Sequence, residues 1–275
     1  MDMYIYGKLG NLIMTKEGIN VLMTNLTGKV PPILQRLDYI RFNGEAAGYL
    51  HDLTLTGLFY TGAGMVKTDV MMSIDEQSMS RTYSGSVASA DLDLGKLLNQ
   101  EKKFGKVDFN VELKGFNYKN RYPESYIKGI ISSFEYSQYQ YENIMLDGVY
   151  KDGGFNGRLS MDDANGSVQI DGNFNVAKTI PDFNLKASVK NLRPHDLHLS
   201  DKYENASISL GLTADFTGKS IDDMNGRISL DSLQLNAPDE RGCFLDNLTI
   251  TAGQVSGEKE LRINSSFMTA VIRGD

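Results

Sequence analysis

Apolar and polar residues alternate along most of the chain. In VDFNVELKGF, residues 107–116, Val107, Phe109, Val111 and Leu113 hold one parity, and Asp108, Asn110, Glu112 and Lys114 hold the other. Successive side chains of a strand point to opposite faces, so the segment predicts a strand with one apolar and one polar face. The same alternation recurs in Phe155/Leu159/Met161, Val168/Ile170/Phe174, Phe183/Leu185/Ala187/Val189 and Ile208/Leu210/Leu212/Ala214/Phe216. Between the periodic stretches stand turn residues, such as Asp152-Gly153-Gly154 and Asn165-Gly166.

This pattern predicts strands from YIYGKL at residue 4 to LRINSSFMTAVI at residues 261–272. NVLMTNLTG, residues 20–28, is read as one of them. Helix is predicted only over Leu92–Gln100, and RPHDLHL, residues 193–199, reads as a single turn or bend. The expected fold is all-β: an elongated antiparallel sheet built from meander repeats, with little helix, whose single apolar face can close into a barrel, pair with a second sheet or curl around a guest.

Internal similarity strengthens the reading. SGSVASADLDLGKLL followed by FGKVDFNVELKGF resembles LKASVKNLRPHDLHL followed by NASISLGLTADF, about one hundred residues later. YENIMLDG corresponds to LDNLTITAG, and LTLTGLFYTGAGMVKTDVMMSI to IMLDGVYKDGGFNGRLSMDD. Residues 1–275 are therefore read as one continuous repetitive segment. Its approximate units are 1–85 (partial), 86–180 and 181–275.

Charge and composition narrow the function. A net charge of −7 without any basic run excludes a general nucleic-acid binder. The single cysteine, Cys243, forms no internal disulfide. No apolar stretch is long enough for a membrane span, and no signal peptide is visible. Both ends break off inside the strand pattern, so the chain is read as an excerpt of a longer protein.

Catalytic signatures are missing. No G-x-S-x-G, P-loop or dinucleotide fingerprint occurs. Of the three histidines, His195 and His198 lie three apart, but strand parity would separate them and a third ligand is lacking. Asp162-Asp163-Ala164-Asn165-Gly166 lacks the glutamate of a calcium loop and reads as a hairpin turn. The tyrosine-rich FEYSQYQYEN, residues 134–143, offers aromatic rings for sugar, but Tyr136, Tyr139 and Tyr141 do not hold one parity, which favours a sheet edge or strand bend. Met65, Met71, Met72, Met145 and Met161 are adaptable side chains that suit either core gaps or variable guests. No enzyme activity, cofactor or metal is expected.

The ADLDLGKLL kink, the FGKVDFNVELKGF strand and the elements NIMLDGVY and FNGRLSMDD resemble the TamB proteins of the AsmA-like group, in their Bacteroides-type form. The likeness runs over essentially the whole chain. It implies a taco-shaped β-groove in the periplasm, tethered to the inner membrane by a missing N-terminal anchor and meeting an outer-membrane barrel protein of the Omp85 type. The implied work is carrying phospholipid acyl chains between the two membranes. The alternatives are a scaffold for translocating and assembling outer-membrane or secreted proteins, and a β-sandwich carbohydrate-binding module. The candidate groove-lining residues are Val107, Phe109, Val111, Leu113, Phe155, Leu159, Val168, Ile170, Phe183, Leu185, Val189, Ile208, Leu210 and Leu212. Their role would be apolar contact.

Overall fold

The computed structural model describes all residues except 1–3, 28–29, 31, 50, 76, 79, 118–123, 203, 221–222, 238–241, 256 and 275. The fold is all-β, and among the described residues sixteen antiparallel strands are hydrogen-bonded in chain order as a meander. They are β1 (Tyr4–Thr15), β2 (Tyr39–Tyr49), β3 (Asp52–Thr61), β4 (Gly64–Asp75), β5 (Ser80–Asp93), β6 (Phe104–Asn117), β7 (Glu124–Tyr136), β8 (Tyr139–Lys151), β9 (Gly154–Asp163), β10 (Gly166–Asn175), β11 (Asp182–Leu192), β12 (Ser207–Thr217), β13 (Asn225–Asn236), β14 (Cys243–Val255), β15 (Glu258–Ser265) and β16 (Thr269–Gly274). The chain divides into two compact units, 1–143 and 144–275, with the division inside β8.

Two sequence expectations are corrected. LRINSSFMTAVI is not one strand: a turn after Ser265 separates β15 from β16, and Ser265 Oγ and the Met268 backbone close it. NVLMTNLTG is not a strand either. Its residues 20–27 lie in helix α1 (Lys16–Thr27), and residue 28 lies outside the described residues. Ile19 and Met23 are four residues apart, one helical turn, and both face the core. Thr15 accepts from the Gly18 N–H as an N-terminal cap. A short apolar run fits both periods, and here the cap and the packing decide for helix.

The predicted helix at Leu92–Gln100 is α2 (Leu94–Leu98). Asp93 caps it by accepting from Lys96 N at 2.9 Å, and Asn99 ends it in the left-handed conformation.

In unit 1, α1, α2 and the 3-10 turn Leu34–Arg36 gather at one end of the strands. Ile19, Leu37, Ile40, Ala63, Leu92, Leu97 and Val107 form one buried cluster there. Ile40 is on β2 and Val107 on β6. In a flat sheet four strand spacings, roughly 19 Å, would separate them. Yet one helix and its neighbours bridge the two strands, and Arg36 Nη1 reaches the Leu97 carbonyl at 2.7 Å. Unit 1 is therefore curled at this end.

A local device that promotes the curl occurs twice. β5 and β6 shift register between Ser89 and Leu92, and β11 and β12 shift between Val189 and Leu192. The bulged residues, Asp91 (φ 58°) and Asn191 (φ 47°), are of the types that best tolerate the left-handed region. Each donates its N–H to the facing strand, Asp91 to Asp108 Oδ1 and Asn191 to Ser209 Oγ. Two residues on, Asp93 N bonds to the Ala63 carbonyl and Arg193 N to the Asn165 carbonyl. Gly64 and Gly166, with φ of 134° and 133°, let the neighbouring hairpin approach: a Cβ on Gly166 would lie 2.5 Å from Leu192 Cα. Then follows α2 with buried Leu97, or the hydrogen-bonded turn around Leu197, which is 0% exposed. A bulge bends and twists its strand, so the repeated kink bends each unit at the same place.

Candidate functional site

Register fixes which side chains share a face, because directly paired residues of adjacent strands lie on the same side. In unit 1 the apolar face consists of rows running across the strands. Phe42, Phe59, Val66, Ser89, Phe109 and Ile131 form the row next to the helical end. Gly44, Gly57, Thr68, Val87, Val111 and Gly129 form the next, followed by Ala46, Leu55, Val70, Gly85, Leu113 and Ile127. The Phe42 ring leans over Gly44 and Gly57, where a Cβ would come within 2.8 and 2.9 Å of it.

The unit 2 face is built alike. Phe155, Phe174, Phe183 and Phe216 make an aromatic row, with ring centroids 5.8 Å apart for Phe155–Phe174 and 4.7 Å for Phe183–Phe216. Leu185 stands beside Gly172 and Ala214 in the second row. Leu159, Ile170, Ala187 and Leu212 make the third, and Val168 and Val189 join Met161 and Leu210 in the fourth. Ile208 pairs with Leu192 and Leu235 at the kinked end. Thus Val107, Phe109, Val111 and Leu113 line one strand of unit 1, and the other ten candidates line four adjacent strands of unit 2.

Burial divides the candidates. Val107 is 4% exposed and belongs to the closed core with Ile19; Phe109 packs against that core. Val111, Leu113 and the ten residues of unit 2 are half-buried, and none reaches core burial. Phe174, on the same face, is exposed. The apolar residues that unit 2 does bury are few: Leu197, Ala206, Ala214, Met224, Leu245 and Ala252. Among the described residues unit 2 contains no helix to cover this face. The candidates also left out five of the six residues in each unit 1 row. Leu55, Val70 and Val87 extend the unit 1 face, and Ile228, Leu230, Leu248 and Ile250 that of unit 2. The same alternation marked them.

The opposite face is polar and cross-strand paired. Lys8 meets Glu45 at 3.1 Å, Thr56 donates to Asp69 at 2.9 Å, and Arg158 binds Asp171. Glu260 accepts from Arg262 and Arg273 at 2.8 and 2.9 Å. The Arg273 hydrogen bond first, then Arg262, hold its carboxyl below the usual range. Met65, Met71 and Met145 point to this side, leaving Met72 and Met161 of the five methionines on the apolar face. A depression of about 880 Å³ near Thr213, Asp215, Arg227, Ser229 and Thr251 also lies mainly on polar-face residues.

The tyrosine-rich segment is a hairpin. Ser137 and Gln138, with φ of 50° and 65°, make a two-residue turn between β7 and β8. Such a turn resets the parity, which is why linear numbering failed to align the tyrosines. Phe104, Phe134, Tyr136, Tyr139 and Tyr141 pack ring to ring with centroids 4.8–6.3 Å apart, and Tyr141 is buried. The rings cover one another and do not form an exposed platform.

The remaining chemical candidates are dispersed. Cys243 is free and exposed. His195 lies 3.7 Å from Asp196, His198 is exposed, and His51 stacks on Tyr49. Among the described residues no three His, Cys, Asp or Glu side chains gather at metal-ligand spacing. Among the described residues no helix is long and apolar enough to cross a membrane. Asp163 accepts from Asn165 N in the hairpin between β9 and β10. No protein-family model, no curated protein and no solved structure matches this chain.

Proposed function

We propose that this chain is a lipid-carrying segment of a bacterial cell-envelope protein, similar to the TamB group, whose apolar sheet face holds phospholipid acyl chains on their way between inner and outer membranes. The observation that carries the reading is that the ten candidate side chains of unit 2, and Val111 and Leu113 of unit 1, stay half-buried in a sheet whose other face is polar. A protein core would bury them. An acyl chain fits instead: each methylene transferred from water contributes roughly 0.8 kcal/mol, and it demands no directional partner. The role needs no catalytic group. Periplasmic placement, an inner-membrane tether and an Omp85-type outer-membrane partner belong to the same proposal and come from the family resemblance.

Photo-crosslinking in cells tests it. A photoreactive residue at Val111 or Leu210 is expected to label phospholipid, and one at Asn110 or Ser209, on the polar parity, is not. Val111→Asp and Leu210→Asp are expected to block lipid passage while circular dichroism retains the sheet. Labelling confined to Asn110 and Ser209 would sink the proposal. Recovery of unfolded barrel or passenger protein, with no acyl chains in native mass spectra, would favour the assembly-scaffold role instead.

A further inference from the structure

One row of unit 2's polar face is left open where its neighbours are satisfied. Register aligns Asn156, Asn173, Asn184, Asp215, Arg227 and Thr251 on one side of consecutive strands, β9 to β14. All of them are exposed. In the adjacent row Arg158 binds Asp171, which also accepts from Gln169 at 2.7 Å. Among the described residues, the side chains of Asn156, Asn173, Asn184, Asp215 and Thr251 hold no such partner within the chain. Arg227 is set apart too. Arg158, Arg193, Arg262 and Arg273 each meet a carboxylate. Arg227 has Asp215 as its direct cross-strand neighbour, yet its guanidinium bonds to hydroxyls, Ser229 Oγ at 3.1 Å and Thr249 Oγ1 at 3.4 Å. The row runs into the depression of about 880 Å³ around Arg227, where Thr213, Ser229 and Asp231 surround one long side chain with short ones. That volume is in the range of ligand sites, roughly 300–1,000 Å³.

The chemistry of the row selects its ligand. It presents one hydrogen-bonding group per strand spacing, roughly 4.8 Å, over roughly 24 Å in all. The three amides and Thr251 both donate and accept, Arg227 donates, and Asp215 accepts. The charges of Arg227 and Asp215 oppose each other, and Asp231 adds a second carboxylate at the depression. A polyanion meets repulsion there, and a neutral ligand does not. A neutral chain of hydroxylated units, spaced as the strands are, satisfies every group. A fully extended β-1,4-linked glycan is such a chain, because it advances by close to one strand spacing per sugar. We propose that this row is a binding site for an extended, neutral β-1,4-linked glycan lying across the strands, with Arg227 as its strongest contact. The row contains no aromatic ring, so recognition is by hydrogen bonds and depends on spacing: a coiled glycan cannot keep one contact per strand. The site lies on the face opposite the acyl candidates and stands independently of the lipid reading.

Isothermal titration calorimetry of the full 275-residue chain tests it with chitohexaose, a linear β-1,4 oligomer of N-acetylglucosamine, beside maltohexaose, an α-1,4 oligomer that coils. Chitohexaose is expected to bind saturably and maltohexaose far more weakly. Arg227→Ala removes hydrogen bonds from a charged donor and is expected to weaken chitohexaose binding about tenfold; Asn184→Ala removes neutral ones and is expected to weaken it about fivefold. Lys190→Ala, on the same face but outside the row, is expected to leave affinity unchanged. Should Arg227→Ala lose its sheet by circular dichroism, Asn184→Ala decides, since that side chain has no partner in the chain to lose. Absence of saturable chitohexaose binding overturns the proposal. Equal binding of maltohexaose, or an affinity that neither variant lowers, overturns it as well. None of these outcomes bears on acyl binding at the opposite face.

Discussion

Leu197 and Leu212 lie in the same unit, and truncating each to alanine measures whether the apolar face is covered. Leu197 is fully buried in the turn before β12, and Leu212 is half-buried in the middle of β12. Leu→Ala removes three carbons, worth about 2.4 kcal/mol at full burial. At Leu197 an enclosed cavity adds to that, so the expected loss is about 3.5 kcal/mol. At Leu212 part of the side chain already meets water and the space left is open, so no cavity term applies. The expected loss there is about 1.5 kcal/mol. With a urea slope of about 1.5 kcal/mol/M, the midpoints fall by about 2.3 M for Leu197→Ala and about 1 M for Leu212→Ala. Urea unfolding followed by far-ultraviolet circular dichroism gives both numbers, provided the slope matches that of the unaltered chain. A Leu212→Ala loss equal to or larger than that of Leu197→Ala would refute the reasoning. It would mean that a second layer seals this face, leaving no room for a guest.

Two further experiments probe the frame that holds the face. At the bulge, Asn191→Gly is expected to be nearly neutral and Asn191→Val to cost about 1–2 kcal/mol, because a β-branched residue resists φ of 47°; thermal melts of the two variants check the order, and equal melts would remove the bulge from the account. Glu260 has a folded pKa below its ordinary value through Arg273 and Arg262, so its stabilising contribution is present above the ordinary carboxylate range and is lost as pH falls through the depressed value; Glu260→Gln is expected to destabilise the chain at pH 7 and to flatten the acid limb of stability against pH.

The strands were legible because each keeps one parity over long stretches between its bulges, and the turns because Gly, Asn and Asp fall between them. The kink was legible too, since the ADLDLGKLL and KNLRPHDLHL stretches place Asp91 and Asn191 at the same point of the repeat. What failed to show was whatever parity does not encode. Ile19, Val21 and Met23 satisfy a two-residue period and Ile19 and Met23 also a helical turn, so only the cap at Thr15 and the packing on Ile40 separate the two readings. Val107 continues the parity of Val111 yet is a core residue, because coverage depends on where the helices land and not on the strand's own pattern. The tyrosines of 136–141 fell out of step for a related reason, a tight hairpin turn that restores the face after two residues. Residues 118–123, between β6 and β7, lie outside the described residues.

The two faces of the sheet divide the labour of specifying it. Register is set where directional partners meet: Lys8 with Glu45, Thr56 with Asp69, Arg158 with Asp171, Glu260 with Arg273, all on the polar face. Each pair is a small contribution by itself, but a slip of one residue turns every such pair toward the apolar side and leaves its charges without partners. The hairpin turns and the bulges at Asp91 and Asn191 fix the same alignment from the ends. The apolar face then specifies register through its alternation alone and not through interlocking shapes. Its contacts are non-directional, and a neighbouring leucine, a helix bearing Ile19 or an acyl chain satisfies them equally. A sheet whose register depended on interlocking apolar side chains would lose alignment whenever a guest displaced one. A sheet aligned from its polar face and its turns keeps every strand paired whatever occupies its apolar face, which is the physical condition that the lipid carriage proposed above requires.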